Sequence, residues 1–200
     1  MNKNLQRFYN WLEDQSNFLL FDIEANFKED NLWKDFETIQ IGYIKFNYKF
    51  EVITHWSIYI NPKNHKELHP FIQELTGINQ KQVDNWLCFP PALKQFISLY
   101  NKETDYLMSY WYYDMKQLYK DSNTNNLEYP FYENDEWRYS KHINIKNAIA
   151  KKINIREKWM WNLLKYLNLN LIWKHHNWED DCLNILEIIK YVFNGGENKK

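Results

Sequence analysis

Residues that mark special architectures are scarce in this chain. Its 200 residues include 4 glycines, 5 prolines and 2 cysteines. So few glycines and prolines exclude collagen-like, linker-like and low-complexity chains. Two cysteines, Cys88 and Cys182, are too few for a disulfide framework, which favours a reducing compartment. No apolar run approaches the roughly 18 residues that a membrane-spanning helix needs.

An excess of charge of either sign is also lacking. The 25 Lys and Arg residues balance 26 Asp and Glu residues to a net charge of −1, which excludes a strongly basic protein that coats nucleic acid. A local basic groove stays compatible with that balance. The first residues lead into Phe8 and Trp11 without the continuous apolar core of a signal peptide. We therefore expect a cytoplasmic protein.

What the chain does have is a clear order of predicted elements. Apolar runs rich in β-branched and aromatic residues predict strands, and the first three are most simply connected as a meander. Strands followed by helices and a later strand predict an α/β fold with a mixed central sheet flanked by helices. We predict strands over 17–24, 39–46, 52–60 and 105–110, helices over 67–75, 79–86, 91–100, 114–119, 142–152, 156–167 and 179–193, and an irregular loop over 122–140. We assign residues 1–16 to an N-terminal helix, 17–194 to one domain and 195–200 to a disordered tail.

Two acids end the first predicted strand. Asp22 and Glu24 are two residues apart, so strand alternation puts both side chains on one face. Like charges about 4 Å apart repel by roughly 4 kcal/mol at an effective dielectric near 20. A divalent cation removes that penalty, and oxygen ligands suit Mg²⁺ or Mn²⁺. The alternative is a strand end that emerges into water.

Two further acids occupy the starts of predicted helices. In the last helix, Asp181 lies at the rim of the apolar stripe and Asp180 lies almost opposite it, so Asp181 is the one that can face a cleft. His176 falls in the preceding loop, from which it could reach the same place. Asp114 follows the fourth strand. The alternative for all of them is helix capping, because acids favour a helix's first turn.

Taken in order, these residues resemble a known family. Asp-x-Glu, then Asp, then His-x4-Asp is the pattern of the DEDDh 3'–5' exonucleases, which have a ribonuclease-H-like fold. Further similar stretches extend the resemblance over roughly residues 18–192, and those at 143–146 and 180–185 resemble the branch that contains the sporulation inhibitor KapD and the histone-mRNA 3' exonuclease. These stretches are Phe21-Asp22-Ile23-Glu24-Ala25, Glu37-Thr38-Ile39-Gln40-Ile41-Gly42, Leu75-Thr76-Gly77-Ile78-Asn79, Ile143-Asn144-Ile145-Lys146 and Asp180-Asp181-Cys182-Leu183-Asn184-Ile185.

The resemblance implies both a reaction and roles for residues. It implies a ribonuclease-H-like sheet, made of the meander and later parallel strands, that removes nucleoside 5'-monophosphates from single-stranded 3' ends, with RNA favoured over DNA. Asp22, Glu24, Asp114 and Asp181 would bind two divalent cations, Mg²⁺ or Mn²⁺, and His176 would be the general base. The candidate nucleic-acid contacts are Ala25, Asn26, Phe27, Trp111, Lys146 and Trp178.

The chain also departs from the family pattern. Trp111 and Trp178 stand where family members usually have glycine, and Asn26 stands where threonine is common. We expect the two tryptophans to pack against each other or against the core, with base stacking as the alternative. Two other functions therefore stay open. One is a DNA-trimming or proofreading exonuclease, and the other is a catalytically weakened nucleic-acid-binding or regulatory module that could have a protein partner.

Overall fold

A six-stranded mixed sheet organises the chain. The computed structural model describes residues 1–27, 35–131, 142–170 and 178–194, with only the backbone described at 178–180. The strands are β1 (Asn17–Asn26), β2 (Glu37–Asn47), β3 (Val52–Asn61), β4 (Leu87–Cys88), β5 (Asp105–Ser109) and β6 (His142–Asn144). The helices are α1 (Lys3–Asp14), α2 (Pro70–Thr76), α3 (Gln80–Asp84), α4 (Phe89–Ser98), α5 (Tyr112–Thr124), α6 (Ile145–Lys152), α7 (Met160–Leu167) and α8 (Trp178–Phe193).

The sheet order is β4-β3-β2-β1-β5-β6, with β1 near the middle. β1, β2 and β3 form the antiparallel meander that the sequence predicts, and β5 and β6 add to β1 as parallel strands. Because β1 and β5 are parallel and Phe21 pairs with Ser109, their carboxyl ends meet at the same edge of the sheet. That edge is where the acids of β1 and the start of α5 come together.

Side-chain alternation along β1 divides the core into two main layers. Phe18 and Leu20 pack beneath α1, α6, α7 and α8. Leu19 and Phe21 point to the other face, which α4 and α5 cover. A smaller cluster of Phe27, Ile39, Leu68, Ile72, Ile78 and Val83 lies around α2 and α3.

Several predicted boundaries were wrong, and the short strand β4 was not predicted. Residues 142–144 are a strand rather than the start of a helix, because they pair with β5 from Leu107 to Ser109. Helix α5 runs to Thr124, beyond the predicted end, and the hydroxyl of Ser122 donates to the carbonyl of Leu118 there. Helix α7 begins at Met160 rather than at 156. Residues 132–140 of the predicted loop and the predicted tail at 195–200 lie outside the described residues.

Helix α1 is part of the core rather than an appendage. Phe8 and Trp11 are fully buried, and the Trp11 ring centre lies 4.2 Å from that of Phe18 on β1. The Trp11 indole also donates a 2.9 Å hydrogen bond to the carbonyl of Ser16. Among the described helices, none is long and apolar enough to cross a membrane.

Replacing Trp11 tests how far α1 stabilises the domain. We expect Trp11→Ala to lower the free energy of unfolding by about 3–5 kcal/mol, because it leaves a large cavity against β1. Urea denaturation followed by circular dichroism measures this. Trp86→Ala is the matched control: its side chain is exposed, so its loss should cost less than about 1 kcal/mol. Equal effects of the two substitutions would show that α1 is dispensable.

Candidate active site

Strand β1 supplies two of the acids. Asp22 and Glu24 alternate onto the same face as Phe18 and Leu20, where α8 packs. The pairing of β1 with β2 shifts register after Glu24, so the regular ladder is interrupted just beyond the acids. Both carboxylates are partly covered. The predicted shared face is therefore the face that α8 crosses.

Helix α8 brings the third acid onto that face. Cys182, Ile185, Leu186 and Ile189 bury its apolar stripe against the sheet. The Cys182 thiol contacts the carbonyl of Gly42 at 3.8 Å, and Gly42 is the residue that pairs with Asp22 across the strands. This contact fixes the first turns of α8 beside β1. Asp181 is buried there, and the side chain of Asp180 lies outside the described residues.

The fourth acid comes from the start of α5. β5 ends at Ser109 and α5 begins at Tyr112, so Asp114 lies in the first turn, at the same edge of the sheet as Asp22. Asp114 is buried. Its Oδ2 atom has no hydrogen-bond partner among the described residues. A buried oxygen without a hydrogen bond is costly unless a ligand or a cation satisfies it.

The acids form one electrostatic group. One carboxylate oxygen each from Asp22, Glu24 and Asp181 lie within 4.8 Å of one another. Burial raises the pKa of Asp22 well above its usual value, and the charges of Asp114, Asp181 and Glu24 raise it further. Burial, followed by the charges of Asp181 and Asp114, also raises the pKa of Glu24 to about 8. Protons are therefore held at neutral pH when no cation balances the charge.

Asp114 is tuned by its own neighbours. Burial raises its pKa to about 7, although hydrogen bonds from the Trp111 backbone and the Ser109 hydroxyl act in the opposite direction. The Ser109 hydroxyl also lies 2.5 Å from the Trp111 carbonyl, and because it has one proton it donates to one of the two at a time. His142 Nε2 lies 3.0 Å from the same hydroxyl. Burial, with the charge of Arg7, lowers the pKa of His142 to about 3, so this histidine is neutral.

The donor set suits a hard divalent cation. The converging side chains of Asp22, Glu24, Asp114 and Asp181 all offer carboxylate oxygens, which Mg²⁺ and Mn²⁺ prefer. The raised pKa values and the Asp114 oxygen without a hydrogen-bond partner both indicate negative charge that the described protein groups leave unbalanced. These residues therefore fit a divalent cation.

Aromatic side chains wall the cleft above the acids. A cavity of about 340 Å³ is lined by Asp22, Glu24, Asp114 and Asp181 together with Tyr110, Trp111, Trp159, Met160, Trp161 and Ile185. Trp111 is 43% exposed, so the expectation of core packing was wrong for this residue, while a contact with the Trp178 side chain falls outside the described residues. Its ring meets that of Trp159 edge to face, with centres 5.2 Å apart. The sequence pattern does not single out Trp159 and Trp161, because both fall inside a predicted helix, where aromatic residues are common.

The other predicted site residues are placed in different ways. Asn26 is fully buried, and its amide bonds to the carbonyls of His65 and Glu67 and to the backbone N–H of His69, so it holds the chain before α2. Ala25 continues β1, and Phe27 stacks on His69. His176 and the side chain of Trp178 lie outside the described residues. Of the predicted nucleic-acid contacts, Trp111 lies in the wall of the cleft, and Lys146 lies against the rings of Trp111 and Trp159.

Comparison with known proteins decides the family. The family model described as exonuclease, RNase_T, matches residues 19–189, which is most of the chain. The chain belongs to this exonuclease family. The match begins on β1, ends near the end of α8 and so includes all four acids.

Relatives with similar sequences are longer proteins. The ERI1 exoribonuclease 3 proteins of Homo sapiens, Bos taurus and Mus musculus are each 26% identical over 194 residues, an alignment that covers 86% of this chain and 52% of theirs. The chain thus spans about half the length of these relatives.

Solved structures share the fold. The nuclease domain of 3'hExo, a DEDDh family member bound to rAMP, matches with a TM-score of 0.78 at 24% identity, over 90% of this chain and 94% of that one. E. coli exonuclease I in complex with a dA16 oligonucleotide matches with a TM-score of 0.66 at 16% identity, over 90% and 42% of the chains. The predicted ribonuclease-H-like sheet flanked by helices is confirmed.

The acid cluster predicts an unusual pH dependence of stability. In the unfolded chain these carboxyls have pKa values near 4, whereas the folded protein keeps protons on Glu24, with a pKa of about 8, and in part on Asp114, with a pKa of about 7. Because the folded state binds more protons, the free energy of unfolding in EDTA should fall between pH 7 and pH 8, by up to about 1.4 kcal/mol per carboxyl. Thermal or urea denaturation at the two pH values measures this.

His142 does not cause this decline, because its lowered pKa makes the free energy of unfolding rise with pH, and does so mainly below its unfolded pKa of about 6.5. Two controls test whether the carboxyl charges are the cause. Asp181→Asn should flatten the decline because it removes one repelling charge, and millimolar Mn²⁺ should flatten it for the unaltered protein. Stability in EDTA that is constant or rises from pH 7 to pH 8 would contradict the charge arrangement.

Proposed function

We propose that this protein is a 3'–5' exonuclease that hydrolyses the last phosphodiester bond of a single-stranded nucleic acid, RNA in preference to DNA, and releases nucleoside 5'-monophosphates. The observation that carries the proposal is the convergence of Asp22, Glu24, Asp114 and Asp181 in one cleft of a chain that belongs to the exonuclease family. The similarity to the ERI1 exoribonuclease 3 proteins supports the RNA preference. Membership of the branch of KapD and the histone-mRNA exonuclease, and a cytoplasmic location, belong to the same proposal.

The four carboxylates would hold two divalent cations, Mg²⁺ or Mn²⁺. When bound, such cations supply positive charge that lowers the pKa of the attacking water and stabilises the departing 3'-oxygen. The carboxylates keep that charge at one end of the cleft, beside the aromatic wall where a strand end can enter. Ser109 and the neutral His142 orient Asp114 through the hydroxyl contact, so its carboxylate stays directed at the cleft.

His176 is proposed as the general base. It would take a proton from the water that attacks phosphorus, while the P–O3' bond breaks and the 3'-oxygen takes up a proton from solvent. An imidazole with a pKa of about 6.5 can accept that proton near neutral pH. The position of His176, five residues before Asp181, supports the role because the start of α8 borders the cleft.

Two alternatives have specific support. Exonuclease I, a structural neighbour, has been solved in complexes with dA16 and dT13 oligonucleotides, which supports a DNA-trimming function as one alternative. The other is a catalytically weakened binding or regulatory module. It is supported by Trp111, which lines the cleft where the family resemblance implies a glycine. Digestion of matched 5'-labelled and 3'-labelled RNA and DNA single strands separates the three functions.

Removing the cations or one acid tests the activity. We expect EDTA, or Asp22→Ala, to abolish release of 5'-monophosphates from a 5'-labelled single strand in Mn²⁺ buffer, because the charge that activates the water is lost. Circular dichroism should show that the variant is folded. Asp105→Ala does not serve as a control, because this buried acid pairs with Lys45 at 2.7 Å and its loss should destabilise the fold. Asp84→Ala, an exposed acid remote from the cleft, is the matched control and should stay active. Undiminished digestion in EDTA would refute the mechanism.

His176→Ala separates the base from the cation site. We expect a loss of roughly 10²–10⁴-fold in kcat, because general base catalysis contributes that much. Mn²⁺ affinity, measured by calorimetry, should change little, because the ligands are carboxylates. His55→Ala, an exposed histidine of β3, is the control. An unchanged kcat for His176→Ala would remove the base assignment.

A further inference from the structure

One wall of the cleft is built from indole rings that the proposed hydrolysis does not use. Trp111, Trp159 and Trp161 line the same cavity as the acids. They are 43%, 55% and 37% exposed, so much of their aromatic surface faces water. Exposed aromatic surface that is concentrated beside a set of polar groups marks a binding site rather than a core. We call these three side chains the tryptophan wall.

A lysine fixes the geometry of the tryptophan wall. The Nζ atom of Lys146 lies 4.2 Å from the ring centre of Trp159 and 5.4 Å from that of Trp111. Its side chain is only 8% exposed. In the described part of the chain, this ammonium thus pairs with two ring faces, an attraction that strengthens when the pair is shielded from water. Lys146 therefore holds the two indoles in their edge-to-face arrangement and has little surface left for a strand.

The backbone that carries Trp159 is also anchored. The Tyr110 hydroxyl donates a 2.8 Å hydrogen bond to the carbonyl of Lys158, and the Asn147 amide donates one of 2.6 Å to Glu157. Trp159 is the N-cap residue of α7, and its carbonyl accepts from the N–H of Leu163. A wall that is already ordered loses little conformational entropy when a ligand binds.

We propose that Trp159 and Trp161 stack on the unpaired bases at the 3' end of a single strand, and that Lys146 is a positioning residue for this wall. The inference rests on the proposed function of the neighbouring acids, which would take the phosphodiester while the tryptophan wall takes the base. Every base has an aromatic face, so such stacking tolerates any sequence. A base inside a duplex has both faces covered. The substrate class is therefore an unpaired 3' end of any sequence.

Binding to intact and abasic ends tests the stacking directly. The probe is a 5'-fluorescein single strand of about 12 nucleotides, made as RNA and as DNA, with its last two nucleotides either intact or abasic. Fluorescence anisotropy in Ca²⁺ buffer gives its affinity for the full chain. We expect Trp159→Leu and Trp161→Leu each to weaken binding of the intact strand by about tenfold, and to change binding of the abasic strand by less than about twofold. Trp159→Phe should restore most of the affinity, because phenylalanine still stacks.

Trp86→Leu is the matched control. This tryptophan is also 43% exposed, but it lies next to β4, at the opposite edge of the sheet from β6. Its loss should change neither affinity. If Trp159→Leu weakens the intact and abasic strands equally, or weakens neither, the stacking inference fails. If the unaltered protein binds no strand at all, both this inference and the proposed function fail.

Lys146 has a separate readout. Each lysine that contacts a phosphate releases a counterion from the strand on binding. If Lys146 made such a contact, its loss would reduce the steepness of log affinity against log salt by roughly 0.7. For Lys146→Met we expect an unchanged slope and a loss of affinity for the intact strand only. A lower slope would make Lys146 a phosphate contact instead. The stacking result and the nuclease assay also give independent answers: stacking without digestion in Mn²⁺ would refute the proposed function alone, and digestion without a stacking effect would refute this inference alone.

Discussion

The repulsion between buried carboxylates at one end of the sheet is the constraint on which the rest of the site depends. Asp22, Glu24, Asp114 and Asp181 come from three separate elements, and each is at least partly withdrawn from water. Buried like charges are costly when nothing balances them. The apolar layers, one on each face of β1, offset this cost by stabilising the fold as a whole. A cluster that costs stability and still has converging oxygens is typical of a functional site.

The scaffold explains how such a cluster can persist. α8 is held on the sheet by a continuous apolar stripe and by the contact of Cys182 with Gly42, directly opposite Asp22. α5 is held by Met115 and Leu118 on the other face. The two helices therefore approach the end of β1 from opposite faces of the sheet, and neither can relax away from the acids without exposing its own apolar side chains.

The tryptophan wall adds a second kind of chemistry to the same cleft. In the proposed function the acids would act on a phosphodiester through bound cations, whereas the indoles would offer flat apolar surface to a base. Lys146 connects the two regions, because its backbone N–H binds the carbonyl of Tyr110, which follows β5, and its ammonium lies against Trp159. In this chain Trp111 is thus part of an aromatic wall that lines the cleft.

Local patterns determined much of this protein. Strand alternation alone put Asp22 and Glu24 on one face, the apolar stripe of α8 distinguished Asp181 from Asp180, and the order of the elements predicted the meander and a mixed sheet. Each of these depends on residues near in sequence, where backbone periodicity fixes which side chains share a face. The tertiary structure alone decided that residues 142–144 form a strand, because pairing with β5 overrode their helical pattern. It also decided that Trp111, Trp159 and Lys146, which come from separate segments, contact one another at one side of the cleft, because only long-range packing brings such segments together.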